Sequence, residues 1–139
     1  MTEPLLKVEG LKKYFPITGG MLGRVKGQVK AVDDISFYVN EGETLGIVGE
    51  SGCGKSTTGR MLMRLLDPTE GKVTFDGQEL TSLSASDMRK ARRDIQMVFQ
   101  DPYASLNPRM TVGDIVGEPL EVHNLASGKE QREMVAELL

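Results

Sequence analysis

Apolar residues recur along this chain with two different periods. Near the N-terminus, "LLKVEGLKKYFPI" alternates weakly and ends at Pro16, which predicts an early strand running into a loop. The following "TGGMLGRVKGQVK" has four glycines, no aromatic residue and no period, and reads as an extended, mobile connection. In "DDISFYVNEGETLGIVGE", Ile35, Phe37 and Val39 alternate as in a half-exposed antiparallel strand. Leu45, Ile47 and Val48 form a more continuous run, the pattern of a buried parallel strand, with "NEGE" as the turn between the two.

Helical spacing then takes over. From Lys55 to about Leu66 the residues tolerate a helix, with Met61, Leu62, Leu65 and Leu66 on one side and Asp67-Pro68 as the stop. "KVTFDGQEL" gives a short strand and a DG hairpin turn. Ser84 with Asp87 suits the cap of a basic helix, and "IQMVFQ" reads as the next buried strand. Beyond a loop-like "DPYASLNPRM", Thr111 with Asp114 marks another helix start, and Pro119 is expected to limit that helix. Ser127 with Glu130 has the spacing of a capping box ahead of "QREMVAELL", where Met134, Val135, Leu138 and Leu139 make an apolar stripe that nothing further in the chain covers.

With 139 residues the chain suits one small domain or part of a larger one, and its 39% hydrophobic and 27% charged content is that of a globular protein. A net charge of −3 gives no basic footprint for nucleic acid, so none is expected as a partner. Arg89, Lys90, Arg92 and Arg93 cluster in "DMRKARRD", which reads as a solvated helix face. One cysteine, Cys53, excludes an internal disulfide framework and suits a reducing compartment. The N-terminal segment has no signal-like apolar core, and no stretch has the roughly 18 apolar residues of a membrane span, so a cytoplasmic location is expected.

Chemistry concentrates in "GIVGESGCGKSTTGRML". Gly49, Gly54, Lys55 and Ser56 satisfy GxxxxGK[ST] between an apolar run and a helix, the context a phosphate-binding loop requires. Gly49, Gly52 and Gly54 let successive backbone N–H groups turn toward a polyanion, with Ser51 and Cys53 as small side chains between them. The helix start adds its unpaired N–H groups and positive dipole end. Lys55 is expected on the β- and γ-phosphates and Ser56 on magnesium, with Thr57 and Thr58 capping or meeting the α-phosphate side. This loop alone leaves kinase, GTPase, helicase and transport ATPase open.

Two longer segments, "AVDDISFYVNEGETLGIVGESGCGKST" and "IQMVFQDPYASLNPRMTVGDIVGEPL", resemble the ATP-binding subunits of ABC transporters, in the branch that imports dipeptides and oligopeptides, with nickel importers as close relatives. The resemblance runs from about Leu5 to the end of the chain. It implies an α/β fold: a P-loop NTPase (RecA-like) core with an antiparallel β subdomain, divided as a β subdomain and P-loop core over 1–100 and a Q-loop with the start of a helical subdomain over 101–139. It places the Q-loop role on Gln100, followed in register by Asp101 and Pro102: magnesium coordination, orientation of the attacking water, and motion with the loop that touches the membrane subunits. It also implies an aromatic ring stacked on adenine, with Phe15 the better match and Tyr14 beside it.

What the resemblance implies for the whole protein is ATP hydrolysis, with ATP and Mg²⁺ bound between two such subunits, homo- or heterodimeric. The ATPase would drive permease subunits from the cytoplasmic face of a bacterial or archaeal membrane and be served indirectly by a substrate-binding protein. No LSGGQ-like signature, no apolar run ending in Asp-Glu and no switch histidine occur in the 139 residues; "LASGKEQ" lacks the signature's Gly pair, and His123 lies too early for the switch. In family terms this is the N-terminal part of an ATPase domain that ends in the helical subdomain, without the carboxylates for efficient turnover alone. A non-transport ABC ATPase, or a nucleotide-binding piece without turnover, are the competing readings.

Overall fold

A computed structural model describes residues 3–19, 24–101 and 105–139. Contacts divide the chain into two compact units, Met1–Ile95 and Gln96–Leu139.

The first unit is built on an antiparallel sheet of order β2-β1-β3-β4, with β1 Leu6–Gly19, β2 Arg24–Val39, β3 Glu70–Phe75 and β4 Gln78–Glu79. β1 is central, pairing Val8 with Phe37 on one side and Val73 on the other. Two sequence expectations are corrected here. The strand does not stop at Pro16, which pairs with Gln28, and the glycine-rich stretch from Arg24 onward is β2 rather than a mobile connection. The reason is geometric: β3 pairs with β1 only as far as Lys12, so beyond that point β1 has a free edge, where a residue without an N–H is tolerated. At the other end of β3, Asp76 and Gly77 both have positive φ (45° and 73°), the type I′ geometry that the DG dipeptide predicts.

Val8, Leu11, Val32 and Val73 from the sheet meet Met61, Leu80, Met88 and Ala91 in one core. Helix α1, Lys55–Leu62, supplies Met61. It ends a turn earlier than the apolar spacing suggests. Arg64 takes a left-handed conformation (φ 47°), and Leu65 N–H returns to the Arg60 carbonyl at 2.9 Å while Arg64 N–H returns to Met61 at 3.0 Å, a Schellman closure. The Arg64 guanidinium holds that corner by donating to the carbonyls of Leu80 (3.1 Å) and Leu83 (2.7 Å). A 3₁₀ turn, Leu80–Ser82, leads to α2, Ala85–Ala91, whose N-terminus is capped by Ser84 Oγ accepting from Asp87 N–H at 3.1 Å. Arg92 departs from the solvated-face expectation: its guanidinium donates to the carbonyls of Met63 (3.2 Å) and Arg64 (3.0 Å), satisfying orphan acceptors at the end of α1.

The two continuous apolar runs do not form strands. Residues 43–50 and 95–99 carry no strand pairing, and Val48 and Val98 are 92% and 96% exposed. An internal parallel strand needs neighbours for both its backbone and its side chains. Among the described residues no strand lies beside either run.

The second unit is a helical hairpin of α3, Val112–Val122, and α4, Gly128–Leu138, closed over Leu120, Ala126 and Val135. Thr111 and Asp114 make the full reciprocal capping box. Pro119 does not limit α3: it lies inside, and His123 N–H bonds its carbonyl at 3.1 Å. The lost N–H of one proline is offset by packing on α4 and by a Schellman closure, with Asn124 at φ 52° and Leu125 N–H on Leu120 O at 2.8 Å. Gly117 allows the close approach, since a Cβ there would lie 2.8 Å from Gln131 Nε2, which donates to the Gly117 carbonyl. α4 starts after Ser127 as expected, but the Ser127 side chain makes no capping bond. Of its stripe, Val135 is buried and Met134 packs on it, whereas Leu138 and Leu139 are exposed. Among the described residues no helix is long and apolar enough to cross a membrane.

Candidate nucleotide site

The Gly49–Thr57 loop folds against the bend of β2. Between Lys13↔Val32 and Tyr14↔Lys30 the pairing register shifts, so β2 carries one extra residue, Ala31. The Ala31 carbonyl lies against Gly54, where any Cβ would come within 2.3 Å of that oxygen, and Gly54 itself has φ 99°. Only glycine fits this combination of contact and conformation. At the other end of the loop, a Cβ on Gly49 would sit 2.5 Å from Cys53 Sγ.

Gly54 also begins α1, and this helix start is open. It has no side-chain cap and no acidic residue in its first turn, so the N–H groups and the positive dipole end stay available to an anion. Lys55 arches back over the loop, its ammonium donating to the carbonyls of Gly49 (2.6 Å) and Glu50 (2.7 Å), with Cys53 Sγ at 3.6 Å. The charge is thereby held at the mouth of the loop. Ser51, Gly52 and Ser56 are exposed there, Thr57 is partly exposed, and the Ser56 hydroxyl makes no hydrogen bond among the described residues. Thr58 is different: it is buried, and its hydroxyl donates to the Gly54 carbonyl at 3.0 Å, which commits it to the helix rather than to a ligand.

A cavity of about 460 Å³ separates the loop from β2, lined among others by Lys30, Asp33, Cys53, Gly54, Lys55 and Thr58. Asp33 is its acidic corner. The Tyr14 hydroxyl donates to Asp33 Oδ1, Lys30 Nζ approaches Oδ2 at 3.0 Å, and the same ammonium lies 5.1 Å from the centre of the Tyr14 ring. The Tyr14 hydroxyl and the Lys30 ammonium hold the Asp33 carboxyl below the usual carboxylate range. Asp33 in turn raises both the Tyr14 phenol, chiefly through their hydrogen bond, and the Lys30 ammonium. The ring is thus neutral, the carboxylate ionised and the ammonium charged near neutral pH.

The two candidate stacking rings, Phe15 and Tyr14, have different surroundings. Tyr14 is joined to groups that line the cavity, whereas the Phe15 ring pairs with Lys13, 5.2 Å away, whose ammonium donates to the carbonyl of Asp67. Successive residues of a strand face opposite sides, so the two rings do not share one environment. Sequence reasoning assigned no part to Lys30 or Asp33. Their i, i+3 spacing is visible in the chain, but the bulge that aims both at Tyr14 is not. Gln100 lies in the second unit, exposed, at the end of the extended apolar run. Pro102 falls outside the described residues. His123 is the half-buried C-cap residue of α3.

The ABC transporter family matches residues 32–139. The oligopeptide transport ATP-binding protein AppF of Bacillus subtilis (strain 168) is 55% identical over 138 residues, 99% of this chain and 42% of that protein. The glutathione import ATP-binding protein GsiA of Escherichia coli (strain K12) is 52% identical over 137 residues, 99% of this chain and 22% of that protein. The chain therefore spans less than half the length of these relatives. Among solved structures, the dimeric post-hydrolysis state of the ATP-binding cassette MJ0796, bound to ADP and Pi, superposes with a TM-score of 0.77 at 30% identity, covering 95% of this chain and 54% of the other. The chain is α/β with the P-loop fold of those cassettes, and it belongs to the ABC transporter family, where it is similar to the ATP-binding subunits of peptide-import systems.

Proposed function

We propose that this chain binds ATP through Gly49–Thr57, and that the full-length protein hydrolyses ATP as a dimer to drive peptide import. The observation that carries this reading is the open, uncapped start of α1 beneath a glycine loop whose mouth holds the Lys55 ammonium. Backbone N–H groups of Gly54 to Thr57 donate to the phosphate oxygens, and Lys55 leaves its two loop carbonyls for the β- and γ-phosphates, where it stabilises the charge of phosphoryl transfer. Ser51 and Cys53 are small enough to leave that approach clear. On the base side Phe15 is the first choice of stacking ring, with Tyr14 beside it, a role that rests on the family resemblance.

The Ser56 hydroxyl is a hard donor of the kind Mg²⁺ would take, and the ion would supply charge neutralisation on the nucleotide phosphates; the family resemblance gives the Gln100 amide oxygen a share in that role. Gln100 also orients the attacking water, a role that rests on its place after "IQMVF" and on the family resemblance. We assign residues 1–100 to the β subdomain and P-loop core and 101–139 to the Q-loop and the start of the helical subdomain. Transport subunits among the relatives favour import over a non-transport ATPase, with a second ATP-binding subunit and membrane permease subunits as partners on the cytoplasmic face. Lys55→Ala in the full-length protein is expected to lower ATP turnover by roughly 10²–10³-fold and to leave no detectable ATP-dependent peptide uptake in reconstituted vesicles. Retained ATPase activity would contradict the assignment of the loop.

A further inference from the structure

Lys30 lines the same cavity as Lys55, yet the phosphate chemistry above gives it no part. We propose that Lys30 is a second cation of the nucleotide site: its ammonium exchanges the Asp33 carboxylate for an oxygen of the phosphate that joins the sugar. The inference rests on the ATP-binding reading above. It goes beyond that reading by adding a charged ligand contact from β2, outside the glycine loop.

Three observations support it. The bulge at Ala31 seats β2 on the open helix start: the Ala31 carbonyl lies against Gly54, the N-cap of α1, and Lys30 is the residue before Ala31. Lys30 is also loosely held. Its ammonium meets Asp33 Oδ2 at 3.0 Å, but the two side chains are 58% and 46% exposed, and an ion pair so open to water contributes little to stability. The Tyr14 ring, 5.1 Å away, adds a contact of similar weakness. Asp33, finally, keeps a partner after the exchange, because the Tyr14 hydroxyl donates to its other oxygen. The order along the phosphate chain follows from the two cations. Lys55 stands at the loop mouth, on the β- and γ-phosphates in the reading above. Lys30 stands on the β2 side of the cavity, whose volume of about 460 Å³ is in the range that small ligands fill, so the nucleoside end lies toward it.

The test asks whether Lys30 acts by its charge, and on which phosphate. Binding of ATP and of ADP, each with magnesium, is measured on the full-length protein by calorimetry. Lys30→Ala is expected to weaken both nucleotides by about tenfold, the scale of one charge-assisted hydrogen bond, because both carry the phosphate that joins the sugar. Lys30→Arg, which keeps the charge, is expected to stay within about threefold of the parent. Asp33→Asn removes the charge that holds Lys30 but keeps an acceptor for the Tyr14 hydroxyl. It is expected to tighten ATP binding by about threefold, and to give a clearly smaller gain in a Lys30→Ala background. Unchanged affinity in Lys30→Ala, a loss for ATP without one for ADP, or a Lys30→Arg loss as large as that of alanine would each overturn the inference. So would an equal gain from Asp33→Asn in both backgrounds, which would mean that Asp33 acts on the phosphates at a distance rather than through Lys30. A parent protein that binds neither nucleotide would instead remove the ATP-binding reading on which the inference stands.

Discussion

The starts of α1 and α3 are two solutions to the same problem. Each leaves backbone N–H groups without partners inside its helix. At α3 the chain closes its own end: Thr111 Oγ1 accepts from Asp114 N–H at 3.2 Å, and the Asp114 carboxylate accepts from Thr111 N–H at 3.0 Å. At α1 the N-cap is Gly54, there is no side-chain cap, and the first turn is Lys55, Ser56 and Thr57 with no acid. The first arrangement is worth stability. The second withholds that stability and leaves a site for an anion, with Lys55 placed to add charge.

Experiments that break this contrast are ordered by expected effect. Lys55→Ala removes the side-chain cation that bonds the Gly49 and Glu50 carbonyls over the open end, and is expected to lower turnover by roughly 10²–10³-fold, the cost of losing a preorganised transition-state contact. It is read by steady-state ATPase assay. Thr57→Glu converts the α1 start toward the α3 type by placing a carboxylate at the third helical position. It is expected to hold or raise the melting temperature while weakening ATP binding by about tenfold, through competition for the same N–H groups and repulsion of phosphate. Tighter ATP binding in that variant would mean that the helix start is not where the phosphates lie.

The reciprocal change, Thr111→Ala, opens the α3 end. A loss of about 1 kcal/mol is expected in urea unfolding, with ATP affinity unchanged. The smallest effect is in pH. Bonds from Thr111 lower the Asp114 carboxyl below its ordinary value. A carboxylate depressed in the folded state stabilises above its unfolded pKa of about 3.9, and the contribution disappears as pH falls through the lower, folded value. Stability of the parent is therefore expected to decline more steeply below pH of about 4 than that of Thr111→Ala, in which the hydroxyl bond is absent. Parallel curves would show that the capping box does not couple to this titration.

Legibility in the sequence followed the distance between interacting residues. Ser84 with Asp87, Thr111 with Asp114, and the Asp76-Gly77 turn each act over three residues or fewer, and all appear where the pattern places them. The apolar runs around Ile47 and Val98 had the right composition for buried strands. They stay unpaired because strand formation depends on neighbours, and composition does not supply those. Pro16 and Pro119 are breakers by residue type, yet both are accommodated, one at a free strand edge and one in a helix held by its partner. Arg92 looked like part of a charged face, and only the end of α1, 28 and 29 residues away, turns it into a carbonyl clamp.

By itself, the sequence determined the pattern of the phosphate-binding loop: glycines at fixed spacing, a lysine, a hydroxyl and a helix start are local instructions carried by adjacent residues. Tertiary structure alone decided how that loop is seated and what faces it. The extra residue in β2 puts the Ala31 carbonyl against Gly54, and Lys30 and Asp33 line the cavity beside it, with the Tyr14 hydroxyl on Asp33. Such contacts depend on strand register, where a shift of one residue exchanges the two faces of a strand, and register is set by the whole sheet rather than by any short stretch of it.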